Sequence, residues 1–183
     1  MALNQEKKSK SQEDPFLKAS MMGFMKTSEE GWQKAEKVRL AQKVLEMKWG
    51  DFHEELMGKF PGYETLPQGH ETGCDVMKKD GSVVIEVKNR HNTVKGSDGK
   101  HIIQMLKKHK AEGKQAIFVQ VNCPQGKVKR FGASPDVDIW NGKQAYTFLS
   151  GRETFMDDLL STIQFVFSEY QTVDSLKAAL NIA

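Results

Sequence analysis

An α/β domain built on a mixed β-sheet is the fold class the sequence predicts. Three observations predict it. A long helical segment precedes two short apolar runs separated by Asp80-Gly81. A second helical stretch then leads into "QAIFVQVN", apolar nearly throughout. Helix-period patterns close the chain, so strands alternate with helices in α/β order.

The 183 residues suit one domain with room for a small appendage. At 38% hydrophobic and 28% charged, the chain has the material for a real core. A net charge of +3 permits a nucleic-acid partner without arguing for one. Cys74 and Cys123 lack metal-finger spacing and read as small core residues of a reducing compartment. No apolar run reaches about 18 residues, so no spanning helix is expected. No apolar segment follows the first lysines, so no secretory signal is expected.

Residues 1–14 are polar and lysine-bearing, and residues 16–25 have the pattern of a short helix. Residues 1–26 are therefore set apart as a flexible basic arm with a short helix, and 27–183 as a single domain. Thr27 with Glu30 makes a capping-box start for the next helix. Val38, Ala41, Leu45, Trp49, Phe52 and Leu56 form its apolar stripe, and Gly58 and Pro61 end it. Gly50 marks a break or a close approach. Asp80-Gly81 turns a hairpin. Ser97 and Asp98 are placed to cap a helix over 99–112, with Ile102, Ile103 and Leu106 inward and Gly113 as its stop. "QAIFVQVN" suits a strand buried on both faces. "VDIWNGKQAYTF" predicts a second hairpin about Asn141-Gly142, and residues 152–170 and 172–182 predict two closing helices.

One strand breaks its own pattern. "VVIEVK", residues 83–88, places Glu86 and Lys88 inside an apolar run. With a two-residue turn at Asp80-Gly81, Met77 faces Val84 and Asp75 faces Glu86. Alternation puts Lys88 on the face of Glu86 and leaves Cys74, Val76, Ile85 and Val87 for the core face. Carboxylates about 5 Å apart repel by about 3 kcal/mol at an effective dielectric near 20. Lys88 relieves part of that, and a divalent cation would relieve the rest. Hard oxygen ligands suit magnesium.

"GCD" followed, after a hairpin, by "IEVK" resembles the PD-(D/E)XK nuclease superfamily over residues 38–121, with Cys74 where the motif has Pro. "GDFHEEL", "PQGHETGCDV", "EVKNRHNT" and the strand-then-glycine ending "YTFLSGRE" resemble type II restriction endonucleases, most of all the group cutting GGNCC or GGWCC sites. The resemblance implies a restriction-endonuclease-like core with a central hairpin flanked by helices. It implies Mg²⁺-dependent hydrolysis of phosphodiester bonds in double-stranded DNA at a short specific sequence. It also implies a homodimer in the cytoplasm of a bacterium or archaeon, with no membrane partner.

In that frame Asp75 and Glu86 ligate the metal, joined by the Val87 carbonyl. Lys88 orients and helps deprotonate the attacking water, or stabilises developing charge. The resemblance adds Glu54, four residues after Gly50, as a further catalytic carboxylate. A helical wheel that takes Phe52 as the core direction favours Glu55 instead. Asn89, His91, Asn92 and Thr93, after the charged strand, are candidates for DNA contact or loop capping. Lys107, on a basic helix face with Lys108 and Lys110, suits a phosphate track. Arg130 suits guanine edges. His53, His70 and His91 match no zinc spacing. Two alternatives stand beside the restriction enzyme: a structure-selective nuclease, such as a junction resolvase or repair enzyme, and a catalytically inactive DNA-binding module.

Overall fold

The structure, a computed structural model, describes residues 14–90, 94–123, 126–132, 137–170 and 175. The expected N-terminal arm up to residue 13, the terminal helix over 172–182 apart from Ser175, and His91, Asn92 and Thr93 lie outside the described residues. Contacts group residues 1–43 and 44–183 as two units.

In the first unit, α1 spans Pro15–Met25. Asp14 caps it by accepting the Phe16 and Leu17 N–H groups, and Pro15 takes the first helical position, where an N–H has no intrahelical partner. The long helix α2 runs Glu29–Gly58, its residues up to Lys43 grouped with the first unit and those from Val44 with the second. Ser28 Oγ accepts the Gly31 N–H at 3.3 Å, so the cap falls at Ser28 rather than at the expected Thr27. The helix passes through Gly50 unbroken, with open space beside it.

The second unit holds a five-stranded sheet ordered β1-β2-β3-β4-β5: Tyr63–Thr65, Val76–Lys78, Val83–Arg90, Gln115–Asn122 and Asp138–Asn141. The first three strands pair antiparallel and the last three parallel, so the mixed sheet is as expected and β3 is central. The three-residue β1 was not legible in sequence. It pairs with β2 at the edge of the sheet.

Val76 pairs with Ile85 and Met77 with Val84, the register derived from a turn at Asp80-Gly81. Gly81 takes φ +74°, a conformation that favours glycine, and Asp80 Oδ1 accepts the Ser82 N–H at 2.9 Å. One sheet face carries Val76, Ile85, Val87, Ile117 and Val119, packed on Met57 of α2 and on two helices described below. The other carries Val84, Ala116, Phe118 and Ile139 under Ile102, Ile103 and Leu106 of α3, Gly96–Ala111.

Four further expectations are corrected. Cys74 packs with Val84, on the face opposite Val76, because β2 begins only at Val76 and the chain bends at Asp75, so alternation does not reach back to residue 74. Helix α3 starts at Gly96 behind Lys95, which provides no side-chain cap. Ser97 and Asp98 lie inside its first turn, where the Asp98 charge suits the helix dipole. No hairpin forms at Asn141-Gly142. Asn141 instead caps α4, Gly142–Ser150, in a reciprocal box with Gln144. A Cβ on Gly142 would stand 2.8 Å from the Val121 carbonyl oxygen, so the tight strand-to-helix passage requires glycine. "YTFLSG" is accordingly the end of α4, closed by Gly151 at φ +70°, and not a strand. The closing helix α5 spans Phe155–Ser168. Among the described residues no helix is long and apolar enough to cross a membrane.

Candidate active site

The bend before β2 and the centre of β3 place three charged groups together. The Asp75 N–H donates to the Ile85 carbonyl at 3.0 Å, which extends the ladder to Asp75. Its carboxylate then reaches back across the pair: Asp75 Oδ2 accepts the Val87 N–H at 2.7 Å. Glu86, next to Val87, is 5% exposed. Its Oε1 lies 2.6 Å from Lys88 Nζ, and its Oε2 has no hydrogen-bond partner although buried. Lys88 Nζ also donates to the Val87 carbonyl at 2.9 Å and lies 3.5 Å from Asp75 Oδ2. One ammonium thus touches the oxygens of all three residues expected to bind metal.

The electrostatics follow from this crowding. Burial, then the Asp75 charge, push the Glu86 carboxyl up to about 7, against the pull of Lys88. Burial lowers the Lys88 ammonium, but the charges of Glu86 and Asp75 outweigh it and the net shift is upward, so Lys88 stays protonated. Glu54, on α2, is half-buried and is also pushed up to about 7, by burial first and then by Asp75, with Lys88 opposing. Glu55 is exposed. The wheel misled because Phe52 is not the core direction of this turn: His53, Met57 and Gly58 are the buried residues, and Glu54 lies beside them.

This donor set fits a hard divalent cation. It offers two carboxylates and a carbonyl, an orphaned buried oxygen on Glu86, and excess negative charge. Among the described residues no three His, Cys, Asp or Glu side chains form a metal-holding group by themselves, so a ligand set here would include oxygens beyond those side chains, such as the Val87 carbonyl.

The remaining candidates are spread more widely. Asn89 Nδ2 donates to the Glu46 carbonyl at 3.2 Å, and Asn89 Oδ1 accepts from Asn122 at 2.6 Å, so this amide braces the end of β3 against α2 and β4. Lys107 lies on the exposed side of α3, and Arg130 is exposed in the 126–132 loop. His53 is buried with Nδ1 2.7 Å from the Tyr146 hydroxyl, and burial pushes it down to about 4, so it is a neutral core residue. His70 bonds Thr72. Sequence reasoning missed the Tyr146 partner, which no local motif signals, and missed Gln120. Its signal was present: one carboxamide inside an apolar run.

Residues 1–171 match the Eco47II restriction endonuclease family. The chain is 29% identical over 175 residues to the type II restriction enzyme Sau96I of Staphylococcus aureus, covering 86% of this chain and 66% of that one. It is 24% identical over 166 residues to the type II restriction enzyme Eco47II of Escherichia coli, covering 78% and 69%. The chain spans about two thirds of the length of these relatives.

Proposed function

The chain belongs to the Eco47II restriction endonuclease family, and from that premise we propose that it is a type II restriction endonuclease, hydrolysing phosphodiester bonds of double-stranded DNA at a short specific sequence with Mg²⁺. The observation that carries this reading is the convergence of Asp75, Glu86 and Lys88 about Val87 across one hairpin.

Asp75, Glu86 and the Val87 carbonyl would hold the cation. When bound, it supplies Lewis-acid polarisation of the scissile phosphate. Lys88, held as an ammonium by two carboxylates, stabilises the charge that builds on the phosphoryl oxygens during in-line attack. Glu54, with its carboxyl near 7, is suited to take the proton of the attacking water. The P–O3′ bond breaks as the water oxygen bonds phosphorus. Each chain holds one such centre, so cutting both strands of a palindromic duplex calls for a homodimer. Lys107 and Arg130 are proposed to meet the DNA. The resemblance to enzymes cutting GGNCC or GGWCC makes those duplexes the first to test.

The test is digestion of phage DNA with Mg²⁺, followed by sequencing of the fragment ends. The expected result is one short sequence at every end, and no cutting by Asp75→Ala or Lys88→Ala proteins with unchanged circular dichroism. Cutting retained by both variants would overturn the reading. Ends set by junctions or flaps rather than by sequence would make it a structure-selective nuclease.

A further inference from the structure

Strand β4 is buried from Ala116 to Val121, and every residue of that stretch is apolar except Gln120, which is fully buried. A carboxamide at such a position is unfavourable unless both its polar atoms are paired. Gln120 pairs both with one residue. Its Nε2 donates to the Lys129 carbonyl at 2.6 Å, and its Oε1 accepts the Lys129 N–H at 2.8 Å. The side chain does for Lys129 what a neighbouring strand would do, and holds a loop with no ladder of its own.

The loop, residues 126–132, has two further anchors. Asn141 Nδ2 donates to the Gly126 carbonyl at 3.3 Å. The Phe131 ring, on a residue at φ +48°, packs over Phe118 and fills the space left by Gly99 of α3, where a Cβ would stand 2.3 Å from the ring. A non-glycine residue in this left-handed conformation is strained and persists because its surroundings hold it. What the anchored backbone presents is positive charge. Lys127 and Arg130 are exposed, and among the described residues neither forms an ion pair.

The sheet register says where the clamp stands. Gln120 pairs with Lys88 in the parallel β3–β4 ladder. Residues so paired point to the same face, about 4.8 Å apart. The clamp therefore sits one strand from the catalytic lysine, on its face.

We infer that Gln120 is a positioning residue for substrate: it locks the Lys127–Arg130 loop beside Lys88, so that the loop cations grip the DNA backbone in register with the scissile phosphate. This deepens the nuclease reading and rests on it. Gln120 touches no DNA itself and acts through the loop.

The test measures binding of a fluorescein-labelled duplex over a salt series without divalent metal, with Mg²⁺-dependent cutting by the wild type scored alongside. Gln120→Leu removes both clamp bonds. Gly99→Ala, favourable in a helix, displaces Phe131 without altering any β4 residue and serves if Gln120→Leu does not fold. Each is expected to weaken binding about tenfold and to lower the salt slope by about one or more. The effect should disappear in a Lys127→Ala/Arg130→Ala background, which a general loss of stability would not produce. Wild-type binding by both variants, or an undiminished effect in that background, would overturn the inference. A wild type that binds, shows the coupling and does not cut would overturn the nuclease reading and leave the clamp. A wild type that cuts while both variants bind normally would do the reverse. No binding by the wild type would overturn the inference, and no cutting as well would overturn both.

Discussion

The Lys88 ammonium lies 2.6 Å from Oε1 of Glu86, whose carboxylate would also serve the proposed metal. Lysine and cation therefore share one pool of negative charge. Replacing Lys88 with Met leaves Glu86 buried and unpaired, which destabilises the metal-free protein by about 3 kcal/mol. Mg²⁺ should then raise the melting temperature of Lys88→Met more than that of the wild type, while cutting is lost. Differential scanning fluorimetry with and without Mg²⁺ checks this. An equal or smaller Mg²⁺ shift in the variant contradicts it.

The same crowding sets a pH dependence. Glu86 and Glu54 are held near 7, above the ordinary carboxylate value, so between about 4.5 and 7 the native state binds more protons than the unfolded chain. Metal-free stability contributed by these groups is full below that window and falls as pH rises through it. On the proposed ligand set, Mg²⁺ affinity is predicted to move oppositely, because ligation would need the ionised carboxylates, and cutting should level off above about pH 7. His53, pushed down to about 4 by burial, loses stability on acidification instead, but it is common to wild type and Glu86→Gln. Urea unfolding of both proteins across the window isolates Glu86. Parallel stability curves would show that Glu86 is not the source.

The fold was legible wherever local chemistry and tertiary context agreed. The Asp80-Gly81 turn fixes the β2–β3 register by geometry alone, and that register brings the Asp75 carboxylate to the Val87 N–H, next to Glu86. Around Asn141-Gly142 the two disagreed. A dipeptide that favours hairpins serves here as a helix cap, because Gln144 completes the box and the chain must pass close to Val121. Glu54 could not be separated from Glu55 by periodicity, since the direction of the core at that turn is set by Met57 meeting the sheet and not by the bulkiest side chain. The clamp at Gln120 joins residues nine apart through a loop whose path no periodicity encodes.

Deep in the core, Tyr146 is fully buried and its hydroxyl meets His53 Nδ1. Tyr146→Phe leaves that ring nitrogen without its partner, a loss of about 1–3 kcal/mol. Chemical denaturation should show it as a lower midpoint at unchanged slope, with an unaltered response to Mg²⁺ because the pair lies outside the proposed ligand set. An unchanged midpoint would show that the bond contributes nothing to stability.

Calorimetric titration of the metal-free protein with Mg²⁺ tests the central assignment most directly. Wild type is predicted to bind one ion per chain with release of protons, and Asp75→Ala and Glu86→Ala to show no binding while still folded. Heat of the same size and stoichiometry from either folded variant would mean that the hairpin carboxylates do not hold the ion.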